Sequence, residues 1–517
     1  MSMPRTNLRI NDFVYSACRR WVQSVVEPVP QLKAVSSTAS LAWMHHPGRF
    51  SDGILENCAL RRGLERALPP TTNPAKFHWD NPRPSTTLHV ASEVYNVGGH
   101  TRVLAKWVMR DGSANHLVVL TNQQSDVPTF LEAAVGQARG TIIRLPPSDS
   151  PIIRAAALRS FSMRCDRVVL HSHPHDPVPN IAFAQPGGPP IAMFNHAHFG
   201  FSLGPSVSDL IVNTFDYFRQ LSKQFRYARR TFLLPVVSGI APWTKDPIDK
   251  AAAKARISED ASSCIVLTVG QEHYFRPAPG YDFFRTARRL LKEHPRMLLL
   301  LMGVPQTSRL IPHDLRDEPR CRFLGPIVDP VPYYRAADVF LESFPMPSLG
   351  AVAEAVAQGE AFAIPVYGPT EGILRVSQEP LLSYPYRPRD EDDYVRYVGQ
   401  VISRLGDSRD QARQHRRSLH TIEEGWGLRL RELNHAVDEL QHIPHELPRT
   451  SMIDSQDCQA LADLYPLDNI ADSIDAMLPF SRAIRSHLAA ACHGYMTPRE
   501  ALRRVRRQIR EDLAGPL

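Results

Sequence analysis

At 517 residues the chain is too long for one hydrophobic core and calls for two or three domains. Hydrophobic residues at 43% and charged residues at 22% exclude a wholly disordered or fibrous chain. Lysine plus arginine exceed aspartate plus glutamate by 60 to 53, and the resulting +7 is a mild bias rather than a nucleic-acid signature. The seven cysteines are scattered and form no Cys-x-x-Cys pair, which points to a reducing compartment and away from a disulfide framework or structural zinc. Met1–Ile10 lacks the apolar centre of a signal peptide, and no apolar run approaches the about 20 residues of a membrane helix. A cytoplasmic protein without a transmembrane segment is expected.

Residues 1–85 hold helix-like stretches at 12–26 and 51–68 between segments rich in Pro, Ser and Thr, and read as an N-terminal helical extension. From residue 86 the texture changes to short apolar or β-branched runs at 88–94, 116–121, 141–145, 167–171, 190–195, 210–212 and 231–234. Helix-compatible stretches at 101–110, 151–164 and 215–230 lie between them, the alternation of a parallel sheet covered on both faces. This makes 86–240 one Rossmann-like domain. The stretch 238–261 contains Pro242 and Pro247 and no convincing strand, and reads as a connection. A second series gives strands at 265–269, 297–302, 322–324, 339–342 and 362–366, with helices at 281–293 and 349–358, so 241–389 is a second such domain. Residues 390–517 read as a C-terminal helical region, with helix at 390–440 and again from 457. Its basic segment Arg499–Arg510 suits a solvated helical face, with peripheral contact to anionic lipid as the alternative. No repeat of solenoid period is present.

The most informative stretch runs from Gly325 to Gly359: a turn, a short helix, a buried strand ending in Val339-Phe-Leu-Glu342, a loop with Pro345 and Pro347, then a helix opening near Ser348. A helix N-terminus carries unpaired N–H groups and partial positive charge, so it can hold a diphosphate. Glu354 stands two turns inside that helix, within reach of a ribose hydroxyl. After the strand at 265–269 comes Gln271-Glu-His-Tyr-Phe-Arg276, a loop ahead of the next helix. In the first domain, Gly98-Gly99-His100-Thr101 follows the first strand and permits a tight turn with close backbone approach. Two histidine-rich segments follow, His171-Ser-His-Pro-His175-Asp176 and Asn195-His-Ala-His198.

The segment Ala336-Ala-Asp-Val-Phe-Leu-Glu-Ser-Phe-Pro345, with Glu342 and Glu354 twelve positions apart, resembles the donor-binding region of bacterial GT-B glycosyltransferases, in the branch of O-GlcNAc transferases and protein glucosyltransferases. The likeness extends to the large glycosyltransferase group 1 enzymes. It implies an α/β GT-B fold: two Rossmann-like doubly wound domains facing a cleft, with helical N- and C-terminal additions. It further implies a hexosyl- or N-acetylhexosaminyltransferase using a nucleoside-diphosphate sugar, a UDP-sugar being favoured. Donor binding would fall to Gly98, Gly99, Arg276, Glu342, Ser348, Gly350 and Glu354, with Arg276 taking the phosphate-facing place that related enzymes give to lysine or arginine. The loop departs from the family pattern of Gly-Gly followed by two Ser or Thr: here Pro347-Ser-Leu-Gly-Ala351 leaves one hydroxyl and one glycine, moving phosphate contact toward backbone N–H groups.

The Asn195–His198 segment resembles a strand end in the same branch that carries a catalytic-site histidine. Histidine suits a base for an acceptor hydroxyl because its ordinary pKa is near neutral. His196 is the preferred base over His198, and His100 the second catalytic candidate. The acceptor is a glycan, protein or small molecule, nucleic acid is not expected as a partner, and no metal is required if Arg276 and a helix N-terminus take the phosphate charge. A rival reading gathers His171, His173, His175, His196 and His198 round two metals, as in metal-dependent phosphoesterases. A nucleotide-sugar epimerase and a non-catalytic sugar-nucleotide binder complete the alternatives.

Overall fold

A computed structural model describes residues 5–45, 48–65, 83–198, 200–236, 249–258, 260, 262–277, 280–348, 350–368, 384, 386–448 and 451–452. The chain divides into two compact units, one of residues 1–95, 107–234 and 429–517, the other of residues 96–106 and 235–428.

The first unit opens with helices α1 (Arg5–Ser24) and α2 (Pro28–His45), strand β1 (Arg49–Ser51) and helix α3 (Gly53–Glu65). Helix α2 is absent from the sequence expectation because of its prolines. Pro28 and Pro30 fall in its first turn, where a missing N–H costs no helical hydrogen bond. Tyr15, Val22, Ala34, Val35, Leu55 and Cys58 form the core of this helical layer. The buried Asp52 carboxylate ties it together, accepting from Tyr15 Oη at 2.9 Å and pairing with Arg19 at 2.8 Å.

The sheet of this unit follows, with β2 (Ser85–Ala91), α4 (Gly99–Arg110), β3 (Ala114–Leu120), α5 (Thr129–Gln137), β4 (Thr141–Arg144), α6 (Pro151–Ser162), β5 (Arg167–His171), α7 (Val178–Ala182), β6 (Ile191–Phe194), β7 (Leu210–Asn213), α8 (Asp216–Phe225) and β8 (Thr231–Leu233). Its seven strands are parallel and ordered β4-β3-β2-β5-β6-β7-β8. The order reverses between β2 and β5, and a crevice at such a reversal, beyond the C-terminal strand ends, is where open α/β sheets bind ligands. Helix α4 crosses the division, residues 99–106 grouping with the second unit.

The second unit contains α9 (Lys250–Ala255), β9 (Cys264–Val269), α10 (Phe283–Glu293), β10 (Met297–Met302), α11 (His313–Arg316), β11 (Cys321–Gly325), α12 (Val331–Ala336), β12 (Val339–Leu341), α13 (Gly350–Gly359), β13 (Phe362–Ile364), α14 (Glu391–Ser403) and most of α15 (Leu405–Asp438). Its five strands are again parallel, ordered β11-β10-β9-β12-β13, so the reversal falls between β9 and β12. Near-continuous apolar strands such as Met297–Met302 are what a sheet covered on both faces requires. Within this unit the buried Lys106 ammonium pairs with Glu423 and lies 4.9 Å from the ring of Trp426.

The end of α15 returns to the first unit, where Asp438 accepts twice from Arg167 at 2.8 Å and Asn434 donates to Asp111 at 2.8 Å. Strand β14 (Ser451–Met452) then pairs antiparallel with β1. The fold is thus α/β with two doubly wound parallel sheets. The helices expected from residue 457, the basic segment Arg499–Arg510 and part of the 238–261 connection lie outside the described residues. Among the described residues no helix is long and apolar enough to cross a membrane.

Candidate functional site

In the second unit the candidate residues lie on the two loops that leave the reversal point, after β9 and after β12. Glu342 directly follows β12 and is 1% exposed. Its Oε1 accepts from the N–H groups of Ser343 at 3.1 Å and Ser348 at 2.7 Å, and from Ser348 Oγ at 2.6 Å. The loop therefore curls round one carboxylate and delivers the chain to Gly350, the first residue of α13. Glu354, one turn further, accepts from Tyr334 Oη of α12 at 3.0 Å.

The other loop forms a 3₁₀ turn at Glu272–Phe275 and presents the half-buried Arg276 after it. The two loops meet where the Met346 N–H donates to the Tyr274 carbonyl at 3.3 Å. Burial, reinforced by the Arg276 charge, brings the His273 imidazole down to about 4, so the ring beside the guanidinium is neutral near pH 7. Arg276, Ser348, Gly350 and Glu354 are thus gathered at one end of one sheet. A guanidinium and the first turn of a ten-residue helix both favour an anion. Ser348 differs from the expectation of a phosphate-facing hydroxyl, because its one O–H proton points to Glu342.

In the first unit the loops after β2 and β5 are joined at their own reversal point. Asp176 accepts from Ser92 Oγ at 2.6 Å, Thr121 Oγ1 at 2.5 Å and the Val178 N–H at 2.9 Å, and the His173 N–H donates to Ser92 Oγ at 2.9 Å. The His173 ring stacks on exposed Tyr95 with centroids 5.7 Å apart and planes 9° from parallel. Gly98 has φ +107, a conformation glycine adopts without strain, and Gly99 opens α4 with half-buried His100 beside it. Residues 98–100 group with the second unit.

His196 lies two residues beyond β6, its Nε2 3.2 Å from Nδ1 of His171. His198 has φ +45 and stacks on Phe218 of α8 at 4.6 Å, and burial with the nearby Arg226 charge brings it down to about 4. The five histidines of the phosphoesterase reading fall into separate groups: His171 with His196, His173 against Tyr95 and 5.5 Å from the His175 ring, and His198 against Phe218. Among the described residues no three His, Cys, Asp or Glu side chains converge in a way that could hold a metal ion.

Two histidines outside the sequence candidates, His89 and His116, join this array. His89 in β2 has Nδ1 3.3 Å from His171 Nε2 and Nε2 3.1 Å from Nδ1 of His116 in β3. The available signal was a histidine inside each of two otherwise buried strands, a residue that must find a polar partner there.

No family model matches the chain, and no curated protein matches it in sequence. Among solved structures it is similar to HepE of Anabaena in complex with UDP and glucose, at 12% identity and a TM-score of 0.50, covering 69% of this chain and 100% of that one. It is also similar to a mutant O-GlcNAc transferase of Thermobaculum terrenum, at 14% identity and a TM-score of 0.49, covering 79% and 77%. A third is a UDP-N-acetylglucosamine 2-epimerase, at 12% identity and a TM-score of 0.42, covering 70% and 100%. With the two reversed-order parallel sheets, the likeness to HepE establishes the fold: two Rossmann-like units, the GT-B architecture of glycosyltransferases.

Proposed function

We propose that this chain is a glycosyltransferase that moves a hexosyl or N-acetylhexosaminyl group from a UDP-sugar to the hydroxyl of a glycan, protein or small-molecule acceptor. The observation that carries the reading is the meeting of the Arg276 loop with the Glu342–Ser348 loop at the reversal point of the second sheet, in a fold shared with a chain that holds UDP and glucose. Residues 241–389 act as the donor domain and 86–240 as the acceptor-side domain, with helical additions at 1–85 and 390–517. The protein works in the cytoplasm.

Arg276 and the N–H groups opening α13 at Gly350 take the diphosphate, offsetting the charge that develops on leaving UDP without calling on a resident metal. Glu354 takes the ribose hydroxyls. Glu342 acts through Ser348, holding the phosphate-facing turn in shape. Gly98 and Gly99 let backbone approach the donor, and His100 stands beside the reacting sugar. His196 accepts the proton of the acceptor hydroxyl; His198, a stacked neutral ring, does not.

A thermal-shift series with UDP, GDP, dTDP, ADP and CMP, with and without EDTA, tests the reading, because a ligand that binds the folded state raises its melting temperature. UDP is expected to raise it in EDTA as well as without, and Arg276→Ala to remove the shift. UDP release from UDP-sugar should require an acceptor, whereas an epimerase alters the sugar with none present. If no nucleotide shifts the melting temperature and EDTA lowers it, the transferase reading gives way to a metal-dependent one.

A further inference from the structure

His116, His89, His171 and His196 stand on four neighbouring strands or strand ends, in the spatial order β3-β2-β5-β6. The register pairs His116 with Thr87, His89 with Val169, and Ala91 with His171, so each step advances two residues toward the C-terminal end of the sheet. The pairing of Leu170 with Met193 sets the last step, which again advances two residues beyond the partner of His171. A two-residue step keeps every ring on the same face, because side chains alternate with period two. The result is a diagonal row of imidazoles crossing the sheet interior and ending at His196. His116, His89 and His171 are 0% exposed, and Trp107 meets His89 and His171 edge-on at 6.0 and 5.6 Å.

The far end of the row sets its direction. His116 Nε2 lies 2.9 Å from the Asp111 carbonyl oxygen, which can only accept, so this nitrogen carries the proton. Burial holds His116 and His89 below the ordinary histidine value and keeps both neutral. His116 Nδ1 is then an acceptor for His89 Nε2–H, His89 Nδ1 for His171 Nε2–H, and His171 Nδ1 for His196 Nε2–H. His196 therefore carries its proton on Nε2, and Nδ1 is its unprotonated nitrogen.

We infer that these four histidines form a directional hydrogen-bonded row that fixes the tautomer of His196 and makes Nδ1 its proton-accepting nitrogen. The inference rests on the transferase reading, in which His196 is the base. The acceptor oxygen bonds to the anomeric carbon, the bond from that carbon to phosphate oxygen breaks with its electron pair leaving on UDP, and the acceptor's proton passes to His196 Nδ1. The Nε2–H of the resulting His196 imidazolium stays donated to His171 Nδ1, and the buried rings behind it remain neutral. The charged groups that act on the buried rings are Arg167 on His89 and His116, Arg83 on His116, and Asp111 on His116. The two arginines oppose a cation, and Asp111 favours it at the last ring only. After product release His196 gives its extra proton to solvent. His171, His89 and His116 are positioning residues, since none touches substrate.

Two measurements test the row. In the wild-type protein, the 15N chemical shifts of histidine-labelled side chains should assign the proton to Nε2 in all four rings; an Nδ1–H tautomer at His116, His89 or His171 overturns the direction derived above. In steady-state assays, His89→Phe keeps a buried ring and cuts the row. It should lower kcat by about 10- to 100-fold, the scale of lost outer-shell support, shift the acidic limb of the pH–kcat profile, and leave donor KM and the UDP thermal shift unchanged. His116→Asn retains an acceptor for His89 and should lose less. Wild-type kcat and pH profile in His89→Phe, or equal loss of kcat and UDP binding, overturns this positioning role. Absence of any sugar transfer by the wild-type protein would instead refute the functional reading, with the tautomer measurement still deciding the order of the row.

Discussion

Glu342 shows how a single residue shapes the candidate donor site. A carboxylate with three donors on one oxygen organises the turn from β12 to α13, and Ser348 belongs to that organisation through both its N–H and its hydroxyl. The family-like acidic position was legible in the sequence; the hydrogen bond that turns Ser348 away from a phosphate was not, because it depends on how the loop closes. Gly99 offers a sharper test of the glycine loop after β2. A methyl group added there meets no atom within 4 Å, and its backbone lies outside the left-handed region. Gly99→Ala should therefore leave stability unchanged or raise it by about 0.5 kcal/mol, while reducing kcat/KM by at least about tenfold if backbone approach to the donor matters. Urea denaturation and UDP-release assays read the two effects separately; loss of stability together with activity would assign Gly99 a packing role instead.

At the scale of elements, α13 is held close to α12 by the absence of a side chain. A Cβ at Gly359 would lie 1.6 Å from the Tyr334 carbonyl oxygen, an approach no side-chain movement relieves because the obstacle is backbone. Gly359→Ala should cost about 3 kcal/mol or more, the upper range for overpacking, seen as a fall in the urea midpoint. It should also weaken UDP binding, since α13 carries both Gly350 and Glu354. Most strands and helices of both sheets were readable from alternation alone. Strand β2 begins at Ser85 rather than near 88 and stops at Ala91, and by Val94 the backbone N–H and carbonyl have turned to the Gln123 side chain. Local pattern carries no information about such a side-chain partner 29 residues away.

For the whole molecule, buried ionisable groups set the response to pH. His198, His273 and His445 are each brought down to about 4, and His89 well below its ordinary value, with burial the first cause in every case. In the unfolded chain these rings take up protons near 6.5, so between 6.5 and 4 the unfolded state binds more protons than the folded one. Stability is therefore present above 6.5 and lost as pH falls through this window. Glu56 acts in the other sense: burial raises its carboxyl to about 7 although Ser206, Asn180 and Gly204 donate to it. Its contribution is present below the unfolded value of 4.5 and fades as pH rises toward 7. The urea midpoint should fall on going from pH 6.5 to 4.5, and Glu56→Gln should steepen that fall by removing the opposing term. A midpoint that stays flat across the window would mean the rings are solvated in the folded state.

The sequence by itself determined the two series of strands and helices, the apolar runs that must be buried on both faces, and the acidic pair Glu342 and Glu354 on the elements that carry them. Those features are local, written in hydrophobic period and turn chemistry. Tertiary structure alone decided which residues meet: that Ser348 closes on Glu342, that α15 ends in the first unit, and that His116, His89, His171 and His196 line up. Each of these depends on register or closure between segments distant in the chain. A shift of one residue in β2, β3 or β5 would turn its histidine to the opposite face and break the row.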